Sequence, residues 1–272
     1  MSHARAGIRH PHEAVPSRPP SPVSTPSGPP GTAASLPARF DWLRGRTPDV
    51  PGRAPQVHAV GRCRPARDGV SGDFADMFRI AGGGWGAVVG DVRGKGADAA
   101  ALATVACRSV RAAGRVTAPR DVLRTLNAAM LSEEVNREQF LTAVYVELRP
   151  TAGGAHAAVY SAGHPPVVLV RADGTVRQLG AGGIALGVTV DPRLDERRVL
   201  LYHGDTMLLY TDGVTEARRD GECFGETRLH RLLARIGRWE LAGVAELVER
   251  AALQFGRPDE CDDITVLVLR VE

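Results

Sequence analysis

Residues 88–100 read VVGDVRGKGADAA: an apolar run ends in an acid, and an alanine-rich stretch of helical character follows. Three glycines (Gly90, Gly94, Gly96) fall within seven residues between them. Glycine accepts backbone angles that other residues resist, so the segment reads as strand, tight turn and helix. Such a turn either cradles a nucleotide phosphate or places Asp91 on a metal ion. The nucleotide patterns fail. A phosphate-binding P-loop needs Ser or Thr after its lysine to hold Mg²⁺, and Lys95 is followed by Gly96 and Ala97. The glycines also miss the G-x-G-x-x-G spacing of dinucleotide folds. Lys95 stands out for another reason: it is the only lysine, beside 33 arginines.

At 272 residues the chain is one large domain or two small ones. Its hydrophobic content of 43% and charged content of 24% suit a soluble globular protein. No apolar run approaches the roughly 20 residues a membrane helix requires, and the first 20 residues lack the apolar core of a secretory signal. A cytoplasmic protein with no membrane partner is expected. The four cysteines (Cys63, Cys107, Cys223, Cys261) form no CxxC pair, which argues against zinc and against a disulfide framework. Residues 1–60 hold seven arginines and three acids, a charge of +4, and the remaining residues hold 27 basic and 28 acidic groups, a charge of −1. The folded part therefore has no basic bias, and no nucleic-acid partner is expected.

Twelve of the 19 prolines lie in residues 1–55, in stretches such as PSRPPSPVSTPSGPPG. Such a segment buries too little apolar surface to offset its ordering entropy, so 1–55 reads as a disordered Pro/Ser-rich tail and 56–272 as the folded domain. Within the tail, RFDWLRG (39–45) is either a docking segment or an incidental apolar patch. Apolar and β-branched runs predict strands at 57–61, 85–91, 140–148, 155–161, 166–170, 205–211 and 263–271. Helical spacing predicts helices at 97–113, 119–135, 226–236 and 240–255, and ADGT (172–175) predicts a hairpin turn. Two helices in succession over 97–135 count against a doubly wound sheet and for an α+β layering of helix-covered sheets.

Acids recur where apolar runs begin or end: Asp73 in SGDFAD, Asp91 in VVGDV, Asp212 in LLYTDGV, and Asp262 with Asp263 in CDDITVLVL. Any one of them is ordinarily a turn former or a helix cap. Several together are the donor set of a hard divalent cation, which takes oxygen ligands and retains waters.

The ordered segments GDFADMF, GDVRGKGADAA, FLTAVYVEL, YSAGHPPVVLVRADG, GGIALGV, GDTMLLYTDGVTEARRDGECFG and DDITVLVLRV closely resemble the SpoIIE-type branch of the metal-dependent protein phosphatases, the PPM superfamily, over about residues 57–272. The resemblance implies a four-layer αββα sandwich of two antiparallel sheets flanked by helices, with two Mn²⁺ or Mg²⁺ ions at one edge. It assigns Asp73 and Asp91 as bridging ligands, the Val92 carbonyl, Asp212 and Asp262 as further ligands, and Asp263 and Asp76 as outer or alternative ligands. For Asp76 a purely structural role is the competing reading. The implied activity is hydrolysis of phosphoserine or phosphothreonine in a protein by a water activated between two cations. A phosphorylated regulatory protein such as an anti-sigma-factor antagonist is the implied substrate. No cysteine nucleophile is expected. The alternative is a catalytically silent module of the same fold that sequesters a regulator.

Several positions depart from the family pattern. Ser71-Gly72 replaces a double glycine, Ala75 replaces an aromatic residue, and Arg93 replaces the serine of the commoner GDVSGKG. Arg93 is either a phosphate clamp or a solvated arginine; Lys95 either contacts substrate or holds the turn. His164 in SAGHPP is either a general acid or ligand, or a turn histidine bonded to backbone between two strands. Arg62 and Arg64 are further candidates for binding phosphate.

Overall fold

An apolar strand such as ITVLVLRV can be buried on both faces only if each face of its sheet is covered. In the computed structural model, which describes residues 39–40, 56–66, 70–132, 139–237, 239–257 and 261–272, that cover is a second sheet on one side and helices on the other. The described elements belong to one unit, Ala34–Glu272. Apart from the backbone of 39–40, the tail and the rest of RFDWLRG lie outside the described residues.

The chain begins with β1 (Arg39–Phe40), β2 (Val57–Arg64), β3 (Asp73–Arg79) and β4 (Trp85–Val92), followed by helices α1 (Ala97–Ala113) and α2 (Pro119–Ser132). It returns through β5 (Leu141–Thr151), β6 (Gly154–Ala162), β7 (Val167–Val170), β8 (Val176–Leu179), β9 (Asp195–Leu201) and β10 (Thr206–Tyr210). A 3-10 turn (Asp212–Val214) and the small hairpin β11 (Arg218–Arg219) and β12 (Glu222–Cys223) precede α3 (Gly225–Leu233), α4 (Leu241–Phe255) and β13 (Ile264–Val271). One sheet has the order β1-β2-β13-β10-β7-β8 and the other β3-β4-β5-β6-β9, and every pairing is antiparallel.

The strand period of two sorts side chains between layers. Val89, Val146, Leu209 and Leu267 meet between the sheets. Their chain neighbours turn the other way: Val88 and Tyr145 pack against α1 and α2, and Leu208 and Val268 against α3 and α4. The result is the four-layer αββα arrangement expected from the sequence. The inward face of α1 is built of Ala99, Ala103, Ala106, Val110 and Ala113, and these small side chains let the helix lie close on the sheet.

The opening segment forms β4, turn and α1 as expected, but its glycines divide the work differently. Gly94 (φ +115°) and Gly96 (φ +87°) make the turn. Gly90 lies inside β4, where a Cβ would come within 2.4 Å of the Phe74 ring lying across it from β3. Besides the short strands β1, β8, β11 and β12, two longer strands escape the hydrophobic pattern. In β3 two acids interrupt the apolar run, and β9 reads DERRVLL because it is a sheet edge with much of its length in solvent. The expected helix over 119–135 is seen to Ser132, and 133–138 lie outside the described residues. The ADGT hairpin joins β7 to β8, with Gly174 at φ +86° and Asp173 accepting from the Thr175 amide at 2.8 Å.

Asp76 stands three residues after Asp73 in a strand and therefore faces the helices while Asp73 faces the other sheet. Arg111 of α1 meets it with two hydrogen bonds, Nε to Oδ2 at 2.7 Å and Nη2 to Oδ1 at 2.5 Å. Burial raises the Asp76 carboxyl while Arg111 pulls it down, so this acid is a structural anchor between α1 and β3. Arg111→Ala should lower stability by about 2 kcal/mol in urea unfolding, below the 3–5 kcal/mol of a fully enclosed pair because the guanidinium is a third exposed. Adding Asp76→Asn should recover part of that loss.

Candidate metal centre

Four strand ends bring the remaining acids to one place. Register sets Asp73 of β3 directly opposite Asp91 of β4. In the facing sheet, β10 runs beside β13, so the residues that leave β10 (Thr211, Asp212) lie beside those that enter β13 (Asp262, Asp263). Thr211 joins the two sheets. Its Oγ1 donates to Asp73 Oδ2 at 2.7 Å and accepts from the Thr265 amide at 2.9 Å, and its own amide donates to the Thr265 carbonyl at 3.0 Å. The 3-10 turn after it packs so tightly on β13 that a Cβ on Gly213 would lie 2.0 Å from the Asp263 carbonyl oxygen. Only glycine fits there.

Asp263 is occupied as a structural acceptor. Its Oδ2 takes hydrogen bonds from Ser71 Oγ (2.7 Å) and the Gly72 amide (3.1 Å), and its Oδ1 from the Ala66 amide (2.7 Å). Ser71 Oγ in turn accepts from the Asp73 amide at 3.0 Å. The serine that departs from the family's double glycine thus links Asp263 to Asp73. Asp262 is half exposed, and its Oδ1 receives the Lys95 ammonium at 3.0 Å. The Val92 amide donates to the Gly72 carbonyl at 3.1 Å, which fixes the peptide that follows Asp91.

Like charges opposite one another on neighbouring strands repel, and the electrostatics record this. Burial first, then Asp91, raises the Asp73 carboxyl well above the ordinary range. Asp91 is pushed up to about 7 by burial and by Asp212, Asp262 and Asp263, with Lys95 opposing. Asp212 is raised by burial, Glu216 and Asp262. Carboxylates crowded this way accommodate divalent cations, whose charge removes the repulsion and whose oxygen preference matches the donors. Among the described residues no three His, Cys, Asp or Glu side chains converge tightly enough to hold an ion by themselves. Waters would complete the shell, as is usual for Mg²⁺.

Residues 81–272, more than half of the chain, match the family Stage II sporulation protein E (SpoIIE). The chain belongs to the SpoIIE family. The matched residues include Asp91, Asp212, Asp262 and Asp263, and Asp73 lies just ahead of them. Among characterised relatives, protein IcfG of Synechocystis is 29% identical over 204 residues, covering 65% of this chain and 32% of that protein. Phosphoserine phosphatase RsbU of Bacillus subtilis is 28% identical over 187 residues, covering 67% of this chain and 54% of RsbU. The chain thus spans about a third and about half of these two relatives. Among solved structures, the PP2C phosphatase domain of the cell fate determinant SpoIIE from Bacillus subtilis aligns with a TM-score of 0.67 at 19% identity, covering 80% of this chain and 64% of that one. This likeness shows the shared fold of helix-flanked antiparallel sheets.

The other candidate residues of this SpoIIE-family domain separate clearly. Arg93 places its guanidinium over the Phe140 ring, 5.2 Å from the centroid, and its amide donates to the Phe140 carbonyl at 2.9 Å. Arg62 is paired with Glu249 of α4, a structural contact on the helix-covered side, and Arg64 reaches the same acid at 3.8 Å. His164 is buried; its Nδ1 stands 2.8 Å from the Thr142 hydroxyl, a side-chain partner beside the backbone of Tyr210. Burial pushes its pKa down to about 3, so the ring is neutral and has no proton to spare as a general acid near neutral pH. All four cysteines are free, and burial pushes the Cys63 and Cys107 thiols up to about 11 and about 12, which disfavours the thiolate a nucleophile needs. Among the described residues no helix is long and apolar enough to cross a membrane. Thr211 escaped the sequence reading and Ser71 entered it only as a departure from the family pattern, although each lies within two residues of an acid it helps to place.

The raised carboxyls fix the sign of a pH effect. A folded pKa above the unfolded one gives stability that is lost as pH rises through the folded value. For Asp91 that value is about 7. Without metal, the melting temperature should therefore fall between pH 6.5 and 8, a window above the acid range where buried His164 has the opposite effect. Millimolar Mn²⁺ should abolish this decline and raise the melting temperature most at pH 8, which differential scanning fluorimetry would record.

Proposed function

We propose that this SpoIIE-family domain is a Mn²⁺- or Mg²⁺-dependent protein phosphatase that hydrolyses phosphoserine or phosphothreonine. The observation that carries this reading is the gathering of Asp73, Asp91, Asp212 and Asp262 at one edge of two sheets, with the carboxyls of Asp73, Asp91 and Asp212 driven up by burial and by acidic neighbours. Asp73 and Asp91, facing each other across β3 and β4, would hold the ions together with the Val92 carbonyl, Asp212 and Asp262. Bound cations would supply an acidified water and neutralise charge on the phosphoryl oxygens.

The chain's own residues position these components. Thr211 holds Asp73 by one carboxylate oxygen, Oδ2. Asp263 fixes the Ser71-Gly72 approach to β3 through its three hydrogen bonds. Lys95, 74% exposed at the rim, carries a mobile positive charge that can leave Asp262 for an incoming phosphoryl group. With His164 buried and neutral, the serine or threonine leaving group takes its proton from solvent. A phosphorylated regulatory protein, such as an anti-sigma-factor antagonist in a bacterial cytoplasm, is the substrate that the family relationship and RsbU's description as a phosphoserine phosphatase support.

Two substrates test this: p-nitrophenyl phosphate and a phosphoserine protein, each assayed with Mn²⁺, with Mg²⁺ and with chelator. Both should be hydrolysed only with metal, and Asp212→Asn should reduce kcat/KM at least about a hundredfold. A wild-type protein inactive across these metals, or an Asp212→Asn variant with full activity, contradicts the proposal and favours the silent binding module. Lys95→Ala should raise KM for the phosphoprotein several-fold with kcat changed less, as expected for a group that binds phosphate in ground and transition states alike.

A further inference from the structure

His164 is a buried ionisable side chain to which the proposed reaction gives no task. It lies in the crossover from β6 in one sheet to β7 in the other. Gly163, at φ +69°, turns the chain there and donates its amide to the Gly182 carbonyl at 3.2 Å, and Pro165 and Pro166 follow. Ser161 Oγ holds the His164 carbonyl at 3.3 Å. The crossover is thus tied down at several points, and the ring has a defined direction.

That direction is toward β5, the strand that pairs with the Asp91 end of β4. On one side Nδ1 meets Thr142 Oγ1 at 2.8 Å, and Thr142 is the residue directly opposite Asp91 on the neighbouring strand. On the other side the ring faces the backbone of Tyr210, the residue just before Thr211 and Asp212. Nε2 is buried with no partner in ordinary hydrogen-bonding geometry, and the Tyr210 backbone partly offsets the downward pull of burial on the ring, as a carbonyl facing Nε2 does. In the tautomer of the neutral ring that carries its proton on Nε2, the Thr142 hydroxyl donates to Nδ1.

We infer that His164 is a positioning residue of the metal centre: a planar spacer that sets the separation between β5, the strand paired with that of Asp91, and β10, the strand leading to Thr211 and Asp212. The inference rests on the reading of the acids as a divalent-cation site. Imidazole suits the task because it is flat and has a polar atom on each side. Being neutral, it also adds no positive charge beneath a site that must accept cations. A lysine or arginine in the same space would compete with the ions, and an aliphatic side chain would leave the Thr142 hydroxyl without its acceptor.

The test is Mn²⁺ binding to the full chain by isothermal titration calorimetry at pH 7.5, with thermal melts of each variant without metal. The variants are Thr142→Val, His164→Ala, His164→Asn and the double Thr142→Val/His164→Ala. Loss of the spacer should weaken Mn²⁺ binding about tenfold in Thr142→Val and in His164→Ala, with the double variant no weaker than the weaker single. His164→Asn, whose carboxamide oxygen can still accept from Thr142, should bind Mn²⁺ within about twofold of wild type. A purely structural histidine would lower the melting temperature and leave the Mn²⁺ affinity of the folded protein unchanged. That result in Thr142→Val overturns the inference, as do effects of the two single substitutions that add independently. If His164→Ala fails to fold, Thr142→Val and His164→Asn decide the matter. A wild-type chain that binds no Mn²⁺ removes the metal reading itself and this inference with it, and is distinguished by being seen before any variant is made.

Discussion

Asp73 and Asp91 face each other across two hydrogen-bonded strands, one buried and the other half-buried, with Asp212 and Asp262 close enough to raise their neighbours further. Nothing in the folding of such a domain calls for this. Burial and repulsion both oppose the charged state, and an apolar or amide pair at the same positions would be more stable in the absence of ions. The surrounding structure is best understood as what is needed to keep these groups together. Thr211 occupies one oxygen of Asp73, the Asp263 carboxylate satisfies three donors that shape the approach to β3, and Lys95 offsets part of the charge at the rim.

The αββα layering supplies the rigidity this arrangement requires. Each acid sits where a strand begins or ends, so its backbone is fixed by the ladder while its side chain escapes the apolar packing. Because the two sheets share one apolar layer, strands that are far apart in sequence deliver their ends to the same edge. Close approach does the rest. The bare Gly213 backbone lies against the Asp263 carbonyl, and the alanine face of α1 keeps the helix that follows the glycine turn near the sheet. Hydrophobic burial on both faces of each sheet offsets the cost of the charged cluster, which is why a domain with such a site still folds.

Much of this was legible in the residues themselves. The segment VVGDVRGKGADAA contains strand, turn and helix in readable order, because each part has its own period and the glycines mark the boundary. The acids at strand ends were legible too, as was the family to which their ordered motifs belong. The roles of individual acids were not. Asp76 resembles Asp73 in composition and separates from it only by strand parity, which was invisible while β3, interrupted by acids, was not recognised as a strand. Asp262 and Asp263 are adjacent and alike, and only the packed structure shows that one is engaged by Ser71, Gly72 and Ala66 while the other is half exposed beside Lys95. Thr211 and His164 act across the gap between sheets, over sequence separations of 138 and 22 residues to Asp73 and Thr142, and no local pattern encodes such contacts.

The central claim is that these carboxylates exist to share divalent ions, and crystals soaked in Mn²⁺ test it most directly. Diffraction data near the manganese absorption edge should give two anomalous peaks among Asp73, Asp91, Asp212 and Asp262, both lost in Asp91→Asn. A map without anomalous density at that edge of the sheets, at Mn²⁺ concentrations that saturate the metal-dependent phosphatases, would contradict the account.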